Sequence, residues 1–228
     1  MSTPPLEAGS MTDEVLRGIF ASDQDMYPAP LTWKRLQSWT AAAPEMAKCF
    51  YLPVADGRSL VGAVIVLPLL AHAWRDLLAG RVKETDVDAE SMFARDGVDN
   101  EDNGGPHPEV GLHVFHVERF DIPAAREGVR GFANLSMRAV AAAAEGKGWN
   151  VIGHSALTAT PEGRRCFERM GFEPTGYEEL WMADGRGGVE LVAVSADTAP
   201  EQRTATDSAA VRGHARMVAR YLPPVYGA

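Results

Sequence analysis

The stretch from Val110 to Phe172 constrains the fold more than any other part of the chain. It orders a strand, a glycine-rich turn, a helix, a strand, a second helix and a Gly-Phe pair. Val110–Ile122 (VGLHVFHVERFDI) is β-branched, aromatic and long, which predicts a strand. The turn Arg126–Ala133 (REGVRGFA) follows, then a helix over Asn134–Glu145 ended by Gly146 and Gly148. Trp149–Ile152 reads as a short strand. Pro161 suits the first position of a helix that runs to Met170 and stops at Gly171. A strand that passes through glycines into a helix N-terminus gathers free backbone N–H groups and the positive end of the helix dipole, which makes an anion site. Gly128, Gly131 and Ala133 allow close approach to that backbone, and Arg126 and Arg130 add positive charge.

Around this segment the pattern is mixed. Residues 1–10 read as a mobile arm, and residues 11–195 as the folded domain. Val15, Leu16, Ile19 and Phe20 share a helical face behind Thr12, and Trp33, Leu36 and Trp39 do so behind Thr32. Cys49–Val54 and Leu60–Leu67 flank an Asp56-Gly57 turn and predict a hairpin. A helix is expected over Leu69–Ala79. The acidic run 84–108 reads as a long solvated loop. Its segment Asp99–Gly104 resembles the start of a calcium loop, but Val110 stands where the closing Glu is needed. Tyr177–Met182 and Val189–Ser195 make a last strand pair. Residues 196–228 are expected to be a linker, a C-terminal helix over Asp207–Tyr221 and a tail. Strands interleaved with helices indicate an α/β (α+β) fold with a mixed sheet.

The formal charge of −9 disfavours a phosphate backbone as partner, so nucleic acid is not expected. The longest apolar run, Leu60–Ala73, contains Gly62, Pro68 and His72 and is shorter than the roughly twenty residues of a membrane span. Cys49 and Cys166 are the 2 cysteines, far apart and outside any CxxC, so the expected setting is a reducing cytoplasm. The N-terminus has neither the basic nor the apolar region of a secretory signal.

Taken together, Gly128-Val129-Arg130-Gly131-Phe132-Ala133, the run TPEGRRCFERMGFEPTG (Thr160–Gly176) and the strand HVERFDI (His116–Ile122) resemble the GNAT superfamily of acyl-CoA-dependent N-acyltransferases. That family's phosphate loop reads Gln/Arg-x-x-Gly-x-Gly/Ala. The last two small residues match, the first position is Gly128, and Arg126 stands nearby in a loop one residue longer. The resemblance implies a central sheet that splays after the long strand and is flanked by helices. Acetyl-CoA or another acyl-CoA would be the co-substrate. Its pantetheine arm would pair with backbone near Phe120 and Ile122, and its phosphates would rest on the amides of Val129 to Ala133. A small-molecule amine would attack the thioester directly. An acyl group on a carrier protein's phosphopantetheine is a second donor consistent with the irregular loop. A non-catalytic acyl-CoA sensor and a thioester hydrolase are competing functions. Trp33 and Trp39 would fall in the region that overhangs the acceptor.

Such a reaction needs a base, donors for the oxyanion and an acid for the thiolate. In a regular strand Leu112, Val114, His116, Glu118 and Phe120 point one way, and His113, Phe115 and Val117 the other. His116 and Glu118 are therefore neighbours, and either fits the base, since imidazole titrates at roughly 6.5. The resemblance places a tyrosine four residues before the Gly of Gly-Phe, beside the cofactor, but Phe167 stands there and cannot donate a proton. His154, Ser155 and Tyr177 are the candidate replacements. Cys166 reads as buried packing within its helix. No His, Asp or Glu set has ligand spacing, so no metal is expected. The sequence leaves the oligomeric state open.

Overall fold

The computed structural model describes residues 5–26, 31–95, 107–183, 189–195 and 211–223. Among these residues eight strands form one sheet: β1 (Glu7–Ser10), β2 (Ala47–Val54), β3 (Gly57–Leu70), β4 (Glu109–Arg119), β5 (Asn150–Thr158), β6 (Glu173–Ala183), β7 (Val189–Val194) and β8 (Val211–Tyr221). Their spatial order is β1-β2-β3-β4-β5-β8-β6-β7. Every neighbouring pair is antiparallel except β4 and β5. A parallel pair needs a crossover, and helices α5 (Pro123–Gly128) and α6 (Phe132–Gly146) supply it.

The early helices form where the periodicity places them. α1 (Asp13–Met26) follows Thr12, whose Oγ1 accepts from the Val15 N–H at 3.3 Å. α2 (Trp33–Ala42) follows Thr32, whose Oγ1 accepts from the Arg35 N–H at 3.2 Å. Each cap satisfies an amide the helix cannot, worth about 1 kcal/mol. The expected hairpin is present as β2 and β3. α3 (Ala71–Leu78), the short α4 (Ala89–Met92) and α7 (Pro161–Arg169) complete the set.

Glycine positions show which helices cover which face. A β-carbon at Gly62 would meet the Phe132 ring of α6, and one at Gly111 would meet the Trp74 ring of α3. Gly62 and Leu69, the partner of Gly111, are an odd number of residues apart on β3. They therefore face opposite sides, and α3 and α6 cover opposite faces of the sheet.

Four expectations are corrected. The N-terminal arm is in part β1, hydrogen-bonded to β2. The acidic stretch begins with a 3-10 turn (Glu84–Asp86) and α4, and Phe93 bridges to Leu69. The calcium-like segment and the 196–206 linker lie outside the described residues. The expected C-terminal helix is, from Val211 on, the strand β8 between β5 and β6. Its Ala215, Met217, Val218 and Ala219 are buried. Ala, Arg and Met favour helices locally, but two open strand edges offered that segment a full set of hydrogen bonds. Finally, β5 extends to Thr158, so His154 and Ser155 lie within a strand rather than after it.

Candidate active site

The central seam opens because β4 carries one residue too many. Against β3, His116 pairs with Ile65 and Val114 pairs with Val66, which leaves Phe115 as a β-bulge. The β4–β5 ladder ends at Val114–Ala156, although β4 runs on to Arg119 and β5 to Thr158. Beyond that point the two strands diverge, and a cavity of about 230 Å³ fills the gap. Val114–Glu118 of β4, Ala156–Thr158 of β5 and Phe167 of α7 line it, together with Asp23 of α1, Glu84, and Glu179 and Trp181 of β6.

The bulge also revises the strand parity. An inserted residue shifts the alternation, so His113 falls on the same face as His116 and Glu118. His116 lies between two carboxylates, its Nδ1 3.5 Å from Asp23 Oδ1 and its Nε2 3.4 Å from Glu118 Oε2. Burial alone would depress this imidazole. Hydrogen bonding and charge from Asp23 and Glu118 outweigh it and raise the pKa to about 9. The premise of an ordinary imidazole near 6.5 is therefore corrected: His116 carries its proton at neutral pH. Asp23, which the sequence did not single out, lines the cavity at 7% exposure, and its Oδ2 has no partner among the described residues.

His113, fully buried, joins two groups. Its Nε2 is 2.7 Å from Glu84 Oε1 and its Nδ1 is 2.8 Å from Ser155 Oγ, which also accepts from the Trp74 indole N–H at 2.8 Å. A serine hydroxyl that donates to Nδ1, with an Nε2–H that donates to Glu84, is one arrangement that satisfies every group in this chain. Burial raises the Glu84 carboxyl above its ordinary value, and the His113 contact opposes it. Tyr177 donates to Glu179 Oε1 at 2.8 Å. Burial, partly opposed by that bond and assisted by the Glu84 charge, pushes Glu179 up to about 7.

The three candidate acids do not line the cavity. Ser155 is spent on Trp74 and His113. Tyr177 is 1% exposed, and burial beside Glu179 raises its phenol further. His154 packs toward Phe172 with centroids 6.4 Å apart; burial, and then the Arg220 charge, hold it down at about 4. Phe167 does line the cavity and packs edge-on against Phe172 at 4.9 Å. Cys49 and Cys166 are free thiols. Trp39 is core: it packs on Phe115 at 5.1 Å and donates to the Val87 carbonyl at 2.9 Å. Trp33 packs on Phe20 at 5.5 Å, with Arg17 over its ring at 4.7 Å.

On the opposite face, α6 begins at Gly131 with φ of 61° and no side-chain cap. That left-handed backbone suits glycine, and open space surrounds the position where a β-carbon would stand. The amides of Phe132, Ala133 and Asn134 open the helix without a side-chain acceptor, an arrangement that fits a phosphate. Gly128 packs against Leu52, whose side chain a β-carbon would meet at 2.5 Å. Val129 is buried, and its carbonyl accepts from Arg119 Nη1 at 3.1 Å. Arg130 is exposed and donates to the Arg126 carbonyl at 3.1 Å. Arg126 forms a two-pronged, exposed ion pair with Asp121 through Nε and Nη2, which takes up part of its donor set. The backbone near Phe120 and Ile122 is also engaged. The Phe120 N–H donates to Val61 at 2.9 Å, and the Ile122 carbonyl accepts from Arg126 at 3.0 Å. Those two bonds run to β3 and into α5, and the β4 edge that faces β5 is unpaired from Phe115 on.

No protein-family model matches the chain, and no curated protein matches it. Solved structures do. NAA60 of Arabidopsis thaliana in complex with acetyl-CoA aligns with a TM-score of 0.53 and 10% identity, over 96% of this chain and 100% of that one. The same protein with a bisubstrate analogue aligns with a TM-score of 0.51 and 11% identity, over 96% and 100%. At such identity the likeness is one of architecture. It agrees with the splayed seam and with the helix that opens on Gly131: the chain has the fold of the GNAT N-acyltransferases.

Proposed function

We propose that this protein transfers an acetyl or other acyl group from acyl-CoA to an amine of a small molecule. One observation carries the reading. The β4–β5 seam stops pairing at Val114–Ala156, with an uncapped helix N-terminus on one face and a carboxylate-lined cavity on the other. The phosphates would rest on the first amides of α6, and the pantetheine arm would enter the seam. Amine nitrogen attacks the thioester carbonyl carbon, the C–N bond forms and the C–S bond breaks. An acceptor that arrives as ammonium first gives its extra proton to solvent; the neutral amine then loses one proton from nitrogen as sulfur gains one.

In this reading His116 handles both protons. Its pKa of about 9 lies between an alkyl ammonium near ~10.4 and a thiol near ~8.5. The neutral imidazole takes the amine proton, and the imidazolium, held by Asp23 and Glu118, returns it to the thiolate. That shuttle removes the need for an acid at Phe167. Mixing the protein with acetyl-CoA and a panel of amines, and following free thiol, tests the function. Thiol release that depends on an amine is expected. Tight acetyl-CoA binding without turnover would indicate a sensor, and thiol release without amine a hydrolase; either overturns the proposal.

A further inference from the structure

The cavity is one-sided in charge. Asp23, Glu84, Glu118 and Glu179 line it, with His116 the counter-charge and no Lys or Arg among the described lining residues. The carboxylates fall into two groups. Asp23 and Glu118 flank His116, whereas Glu84 is held by His113 and Glu179 by Tyr177. His113 and His116 pair with Leu67 and Ile65, two residues apart on β3, so the groups are separated by on the order of 7 Å. Leu31, Phe115, Leu157 and Trp181 line the same cavity with apolar surface. No three His, Cys, Asp or Glu side chains among the described residues converge as metal ligands. The negative charge is spread along a length rather than focused on a point. Asp23 adds a separate observation, a nearly buried carboxylate whose Oδ2 has no partner among the described residues. A buried acceptor oxygen without a donor is costly, and an ammonium would satisfy it.

We infer that the acceptor is an amine with a second cationic group, its reacting nitrogen beside Asp23 and His116 and its distal cation held by Glu84 and Glu179. This rests on the acyl-transfer reading above and specifies its substrate class. Burial already strains the charged forms of Glu84 and Glu179, and a bound cation relieves that strain. The apolar walls suit the methylenes between two ammonium groups.

Putrescine, spermidine and n-butylamine separate the possibilities, because butylamine keeps one ammonium and replaces the other with a methyl group. In titration calorimetry of the full chain with CoA present, putrescine or spermidine should bind at least tenfold more tightly than butylamine. Glu179→Gln should cut that preference at least fivefold, and so should Glu84→Gln, with a thermal melt reporting folding. Equal binding of diamine and monoamine, or a preference unchanged in the folded Glu179→Gln protein, overturns the inference. Turnover with acetyl-CoA distinguishes the two proposals. Acetylation of butylamine as efficiently as putrescine refutes the dication while transfer stands. Selective diamine binding with no turnover of any amine refutes transfer while the dication site stands.

Discussion

His116 shows how two neighbours can reverse the effect of burial. A lone imidazole at 9% exposure would lose its proton, but Asp23 and Glu118 at 3.5 and 3.4 Å keep it charged. In the unfolded chain the same group titrates near ~6.5, so the fold binds this proton more tightly. Its contribution to stability, on the order of 3 kcal/mol, is fully present below about pH 6.5 and is lost as pH rises through about 9. Urea unfolding of the wild type and His116→Gln checks this. The stability difference should shrink by roughly that amount between pH 6 and pH 10, and a constant difference refutes it. The same titration governs the proposed shuttle. kcat should rise with pH and level off above about 9, with the limb at one position for acceptors of different ammonium pKa. His116→Gln should lose that limb and at least tenfold in kcat, as typical for removing a general base. The sequence offered His116 and Glu118 as base candidates but gave no sign of the charge that neighbours impose on His116. Asp23 is ninety-three residues upstream on helix α1, and nothing in the residue pattern joins it to a side chain of β4.

At the level of elements, the β4 bulge does most to separate expectation from structure. Alternation along VGLHVFHVER is regular as written, and no glycine or proline marks Phe115 as the extra residue. The bulge is set by pairing with β3, and it brings His113 to the cavity side and lets the seam open. The helix starts at Thr12, Thr32 and Pro161, and the hairpin at Gly57, were legible because caps and turns are local chemistry. β8 was not, since its strand state depends on β5 and β6. The glycines that let elements approach are equally sensitive. A β-carbon at Gly111 would stand 2.0 Å from Trp74 Cγ, and Trp74 is fully buried. Gly111→Ala should therefore destabilise the protein by about 1–3 kcal/mol or more, read by chemical denaturation, and an unchanged midpoint would contradict the packing described. At Gly131 there is room for a side chain but the backbone is left-handed at φ 61°. Gly131→Ala should cost about 1 kcal/mol of stability and weaken CoA binding more than acceptor binding, measured by calorimetry with each ligand.

Across the whole molecule, one sheet divides two kinds of chemistry. The uncapped start of α6 is on one face, and the carboxylates of α1, the 84–86 turn and β6 are on the other. The break in pairing between β4 and β5 connects them. The order of elements from Val110 to Phe172 was enough to indicate this fold, because a strand, a glycine turn and a helix N-terminus constrain each other locally. The acceptor cavity was not legible, since its walls come from residues 22 to 181 and meet only in the folded chain. A crystal structure with a non-hydrolysable acetyl-CoA analogue tests the seam directly. The expected density places the thioester carbonyl between Val114–Val117 and Ala156–Thr158, with phosphate oxygens on the amides of Phe132 to Asn134. An analogue bound elsewhere, or β4 and β5 hydrogen-bonded past Val114 and Ala156, would contradict it.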